Sequence, residues 1–189
     1  MNVIAFCGSA RPEGNTEALA SAVLDGAREK GAGIRLVRIA DLDLRPCQGC
    51  GACRPEGNCV LRDGMDEAAS SILAADAVVF ASPVYMWQVP GPAKTFIDRM
   101  CRFLTPELTS RIPAGKRIGF AYTQGNPDPD AFAAYFDYLE RMFGFLGFAP
   151  AGRVLATATR EKGDVLRQSQ PLARARELGA RLVAAAPEG

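Results

Sequence analysis

The chain has 189 residues, 48% of them hydrophobic and 23% charged, which is enough for one well-packed domain of ordinary globular composition. A formal net charge of +1 provides neither a broad basic field for nucleic acid nor an acidic tail. There is no histidine, so the commonest general base and every His-containing zinc site are excluded, and chemistry here would run on a cofactor.

The predicted elements alternate along the chain. A strand at Val3–Cys7 opens it directly, without the basic and apolar regions of a secretory signal. No apolar run is long enough to cross a bilayer, so a soluble cytoplasmic protein is expected. A helix at Thr16–Lys30 follows, with Leu19, Val23 and Ala27 on one face. Strands are predicted at Ile34–Ile39, Ala77–Ala81 and Ile118–Thr123, and a weaker one at Val154–Thr157. Helices are predicted at Met65–Ala75, Pro92–Leu104, Asp130–Leu146 and Pro171–Ala186. Ala77–Ala81 is apolar on both faces, as is Ile118–Ala121, which suits parallel strands covered by helices on both sides. Strict alternation of strand and helix implies an α/β fold with a five-stranded, doubly wound parallel sheet of order 2-1-3-4-5. Ligands of such sheets sit at the carboxyl ends of the strands, where the order reverses.

The loops at that edge carry unusual residues. After strand one comes Gly8-Ser9-Ala10-Arg11-Pro12-Glu13-Gly14-Asn15-Thr16. Small and hydroxyl residues lead there into a helix start, where free N–H groups favour a phosphate. Ser9, Asn15 and Thr16 add donors, and Arg11 can add a charge-assisted bond. Asn15 or Thr16 could instead serve only as the cap of an ordinary turn. Neither the Walker ending nor the Gly-x-Gly-x-x-Gly fingerprint is present. After strand three, Ser82-Pro83-Val84-Tyr85-Met86-Trp87 offers aromatic rings for a flat heteroaromatic ligand, unless Tyr85 and Trp87 pack as core. After strand four, Thr123-Gln124-Gly125-Asn126 supplies hydroxyl, amide and backbone donors, or forms a simple turn.

These segments are similar to the signatures of the NADPH-dependent FMN reductases. Gly8 through Thr16 resembles that family's FMN-phosphate loop. Ser82 through Trp87, with Gly91-Pro92-Ala93-Lys94 and Asp98-Arg99, resembles its second signature. The resemblance implies a flavodoxin-like fold over residues 1–189 as a single domain, with bound FMN, NAD(P)H as electron donor, and homodimers or homotetramers. Ser9, Arg11, Asn15 and Thr16 match phosphate-binding positions. Pro83, Tyr85, Met86, Trp87, Thr123 and Gly125 match positions around the isoalloxazine, and Gly14, Val84 and Gln124 complete the candidate set. No catalytic acid or base is assigned, because the protein's part would be position and electrostatics.

A cysteine-rich loop at about 45–64 holds Cys47, Cys50, Cys53 and Cys59, spaced C-x2-C-x2-C-x5-C. Three thiolates two residues apart and a fourth beyond a Gly-containing bend suit a [4Fe–4S] cluster. The run resembles that of the iron-sulfur flavoproteins, a branch of the same family. Bare thiols and zinc are the alternatives, although zinc modules usually use two separated pairs. Cys7 and Cys101 read as buried small side chains, and Asp63 or Asp66 as a cap for the next helix. Three functions follow: an NAD(P)H-linked FMN oxidoreductase serving a small acceptor, an FMN and iron-sulfur electron carrier with ferredoxin-like partners, and a zinc-thiolate structural or sensing protein.

Overall fold

The computed structural model describes residues 1–184. Five strands form one parallel sheet: β1 (Asn2–Cys7), β2 (Gly33–Arg38), β3 (Ala77–Pro83), β4 (Arg117–Thr123) and β5 (Ala149–Ala156). Their order is β2-β1-β3-β4-β5, the doubly wound arrangement the alternation predicts. The order reverses between β1 and β3, so the loops after those strands diverge and leave a crevice. The helices are α1 (Asn15–Arg28), α2 (Met65–Ala74), α3 (Gly91–Arg99), α4 (Ala133–Phe145) and α5 (Ser169–Val183).

Strand alternation sends different residues to the two faces. Ile4, Phe6, Val78, Phe80, Ile118, Phe120 and Tyr122 face α2, α3 and α4 in one core. Aromatic rings dominate it: Tyr122 stacks on Phe136 at 4.2 Å, and Phe143 lies 5.0 Å from Phe80. Val3, Ala5, Ala77, Val79, Ala81 and Ala121 face α1 and α5 in the other core. These side chains are small, so α1 and α5 sit close to the sheet and to each other. A β-carbon at Gly26 would run into the Arg176 carbonyl oxygen, and one at Gly179 into that of Val23. Glycine is required at both places by backbone approach rather than by dihedral freedom.

Several predicted boundaries move, among them the start of α4, from Asp130 to Ala133. β5 starts at Ala149, before the weak run expected from Val154. Ala149-Pro150-Ala151-Gly152 has poor strand propensity, and the segment is extended because it pairs with β4 across a register shift at Ile118/Gly119. As the edge strand, β5 tolerates Pro150. The predicted helix Pro92–Leu104 changes at Met100 into a 3-10 turn, Met100–Phe103. α5 begins two residues before the predicted Pro171, and Ala185 and Ala186 of the predicted stretch lie outside the described residues.

Candidate functional site

The crevice at the carboxyl edge of the sheet has a volume of about 320 Å³. It is lined by Ser9, Arg11, Gly14, Asn15 and Thr16 from the loop after β1, by Pro83, Val84 and Tyr85 after β3, and by Thr123 and Gly125 after β4. The fold thus brings together every candidate flavin contact except Met86, Trp87 and Gln124. Thr159 and Arg160, from the loop after β5, complete the wall. The sequence hides them because β5 is weak in local propensity. The polar run Thr159-Arg160-Glu161-Lys162-Gly163 after its end was the available signal. Among the described residues, the lining holds two arginines and no carboxylate.

Gly14 occupies the N-cap position of α1, and no side chain caps the helix. Neither Asn15 nor Thr16 is the cap that the sequence allows. The buried Asn15 side chain serves the fold: its amide donates to the Glu161 carbonyl at 2.8 Å and its oxygen accepts the Val165 N–H at 3.1 Å. The Thr16 hydroxyl is buried against that of Thr123 at 2.6 Å, which ties α1 to the end of β4. Ser9 Oγ accepts the Arg11 N–H at 3.2 Å and shapes the turn. Arg11 Nη1 donates to the Arg160 carbonyl at 3.2 Å, holding its guanidinium at the rim. The first-turn amides of α1 therefore face the crevice without a competing side-chain acceptor, and the positive end of the helix points there too. This donor set, with an arginine and a hydroxyl, fits a phosphate monoester such as that of FMN.

Tyr85 and Gln88 exchange backbone hydrogen bonds of 2.8 and 3.1 Å, closing a two-residue turn over Met86 and Trp87. Both central residues have positive φ, 45° and 67°, as type I′ turns require. Bulky side chains rarely adopt that backbone. Met86 is 87% exposed and Trp87 72%, so neither packs as core. Trp87 touches Phe132 edge-on at 6.5 Å. Gln124 is buried, and its amide donates to the carbonyls of Asn126 and Asp128 at 3.2 and 2.6 Å. It holds the loop after β4 rather than lining the crevice.

The cysteine run has no regular secondary structure and is held from outside by arginines. Arg99, at the end of α3, is buried and forms a bidentate pair with Asp63 at 2.7 and 3.0 Å. It also donates to the Arg45 carbonyl at 2.8 Å and the Leu61 carbonyl at 3.5 Å, gathering both feet of the loop. Arg102 donates to the Gly57 carbonyl at 2.9 Å, and Arg111 to those of Arg54 and Pro55 at 2.6 and 2.8 Å. Burial raises the Asp63 carboxyl, but Arg99 and the N–H groups of Arg45 and Met65 outweigh it and hold it down at about 2. Burial likewise opposes the Arg99 charge, which Asp63 and then Cys59 restore. Asp63 does accept a first-turn amide of α2, that of Met65 at 3.1 Å, whereas Asp66 pairs with Arg102 at 2.8 Å.

Cys47, Cys50, Cys53 and Cys59 line one cavity of about 300 Å³, beneath Arg99 and Arg102. Among the described residues, no three His, Cys, Asp or Glu side chains come together closely enough to hold a metal ion. The donor chemistry fits a thiolate-ligated centre, and the sulfurs would have to draw together to grip one. Cys7 is buried in β1 as expected, with its thiol pushed by burial up to about 11. Cys101 is not the buried filler that the sequence implies. It is partly exposed and lines the same cavity, with Sγ 3.7 Å from that of Cys53. Burial, then Cys53 and Cys47, push its thiol up to about 12.

Sheet order, crevice and uncapped helix start together define a flavodoxin-like α/β protein. Residues 1–158 match the model of the NADPH-dependent FMN reductases, and the chain belongs to that family. An iron-sulfur flavoprotein of Archaeoglobus fulgidus is 32% identical over 188 residues, covering 98% of this chain and 80% of that one. An iron-sulfur flavoprotein of Methanocaldococcus jannaschii is 39% identical over 99 residues, 52% of this chain and only 51% of that relative's length. The NAD(P)H:quinone oxidoreductase of Methanothermobacter marburgensis superposes with a TM-score of 0.75 at 19% identity, over 96% of this chain and 98% of that one. At that identity the likeness concerns the fold.

Proposed function

We propose that the chain binds FMN in the crevice after β1 and acts as an NAD(P)H-linked oxidoreductase toward a small acceptor. The observation that carries this reading is the uncapped start of α1 beside Arg11 and Arg160, in a wall that holds no carboxylate among the described residues. Ser9, Arg11, Thr16 and the first-turn amides would hold the phosphate. Pro83, Val84, Tyr85, Thr123 and Gly125 would border the ring system, with Met86 and Trp87 offered from the turn above it. Bound FMN would supply hydride and single-electron transfer. The residues contribute position: the Thr16–Thr123 pair and the Asn15 bonds fix the cradle before a ligand arrives, which lowers the ordering cost of binding. The exposure of Met86 and Trp87 supports a homo-oligomer in which a second copy would cover the turn.

A second reading extends the first. Four cysteines around one cavity, together with relatives named iron-sulfur flavoproteins, support a [4Fe–4S] cluster on Cys47, Cys50, Cys53 and Cys59 and a role as an electron carrier with ferredoxin-like partners. A zinc protein without flavin has no comparable support. Anaerobic stopped-flow mixing of the FMN-loaded chain with NADPH or NADH separates the readings. Bleaching of the flavin absorbance within seconds is expected for the oxidoreductase, and its absence with both nucleotides would leave the carrier. Iron and acid-labile sulfide in anaerobically purified protein, near four of each per chain, test the cluster.

A further inference from the structure

The sequence separates Cys101 from the cysteine run, and the fold returns it. The 3-10 turn carrying Cys101 also carries Arg102, whose bond to Gly57 holds the loop against it. On the loop side, the Gly57 N–H donates to the Cys53 carbonyl at 2.7 Å, and Arg111 fixes the next residue, Arg54. Two sulfurs are thereby kept in contact at 3.7 Å by elements that Arg102 ties directly to one another. A disulfide needs an approach of roughly 1.7 Å more between the two sulfurs. Cys47 is the other thiol beside Cys101, and Cys53 is the one in contact with it.

We propose that Cys53 and Cys101 form an oxidative modification site, a dithiol that hydrogen peroxide converts to a disulfide in the metal-free chain. Both S–H bonds break and one S–S bond forms. The two protons and two electrons pass to one peroxide molecule, whose O–O bond breaks to give two waters. The cross-link removes Cys53 from the four-cysteine run. A consequence, which rests on the cluster reading above, is that the oxidised chain cannot load iron until a thiol reductant reopens the bond.

The test uses the full chain, purified anaerobically, stripped of metal with a chelator and treated with one equivalent of hydrogen peroxide. Intact mass should fall by two hydrogens, and non-reducing peptide mapping should join the Cys53 and Cys101 peptides. A cross-link between any other pair, or an unchanged thiol count, overturns the proposal. Reconstitution with ferrous iron and sulfide then follows in three samples. Peroxide-treated wild type should take up only background iron and recover with dithiothreitol. Cys101→Ala, treated alike, should load as the untreated protein does. Equal iron loss in Cys101→Ala would show that the pair is not the sensitive element. If reduced, untreated wild type takes up no iron, the cluster reading fails while the peptide map still decides the cross-link. Should Cys101→Ala fail to fold, Cys101→Ser replaces it.

Discussion

Asp63 is a carboxylate with several partners at once. It neutralises the buried Arg99, accepts the Arg45 and Met65 amides, and so joins the cysteine loop to α2 and α3. Asp63→Asn would leave a guanidinium buried without its counter-charge, a change that typically costs about 3–5 kcal/mol. Chemical denaturation should show that loss, and a loss under about 1 kcal/mol would mean the pair is not the clasp described. The same carboxyl makes stability depend on pH. Its folded value of about 2 lies below the ordinary 3.8, so its contribution is fully present above the ordinary value. That contribution, about 2 kcal/mol, is lost as pH falls from about 4 to about 2. Unfolding curves across that window should fall more steeply for wild type than for Asp63→Asn. Met86 argues in the opposite direction. Its φ of 45° is strained for a residue that is 87% exposed. Met86→Gly should therefore raise apoprotein stability by about 1 kcal/mol. A loss instead would mean that the side chain makes contacts in the folded chain that outweigh the strain. Strain kept at an exposed turn beside the crevice is consistent with a ligand-facing role.

At the scale of elements, the two faces of the sheet are built differently. Phenylalanines and Tyr122 fill the space under α2, α3 and α4, while alanines bring α1 and α5 close. Gly179→Ala would push α5 off the Val23 carbonyl. Overpacking of this kind costs about 1–3 kcal/mol, or about 2–4 °C of Tm per kcal/mol for a chain of this size. Thermal unfolding should show a drop of about 2–12 °C, and an unchanged Tm would contradict the close approach. Much of this architecture was legible. β1, β3 and β4 are short apolar runs bounded by turn residues, so run length and composition locate them. β5 was half-hidden because its first residues are extended only by pairing with β4, a tertiary effect that local propensity does not record. The break in α3 at Met100 was hidden for a related reason. The apolar stripe continues through Met100 and Phe103, although the backbone tightens there.

At the scale of the whole molecule, the topology assembles the site from parts that are weak singly. Ser9, Arg11 and Thr16 could be read from a strand-loop-helix pattern. Cys101 could not, because it enters through long-range packing rather than through its neighbours in the chain, and Thr159 and Arg160 are masked by the weak pattern of β5. No described helix is long and apolar enough to cross a membrane, and a net charge of +1 gives the chain no global steering of an anionic ligand. Selectivity for a phosphate must then come from the local cradle. Calorimetric titration of the ligand-free chain with FMN and, separately, with riboflavin measures it. FMN should bind at least about 100-fold more tightly, since two charge-assisted bonds of about 1.5–3 kcal/mol each are available only to the phosphate. Equal affinity for the two, or no binding of either, would contradict the account.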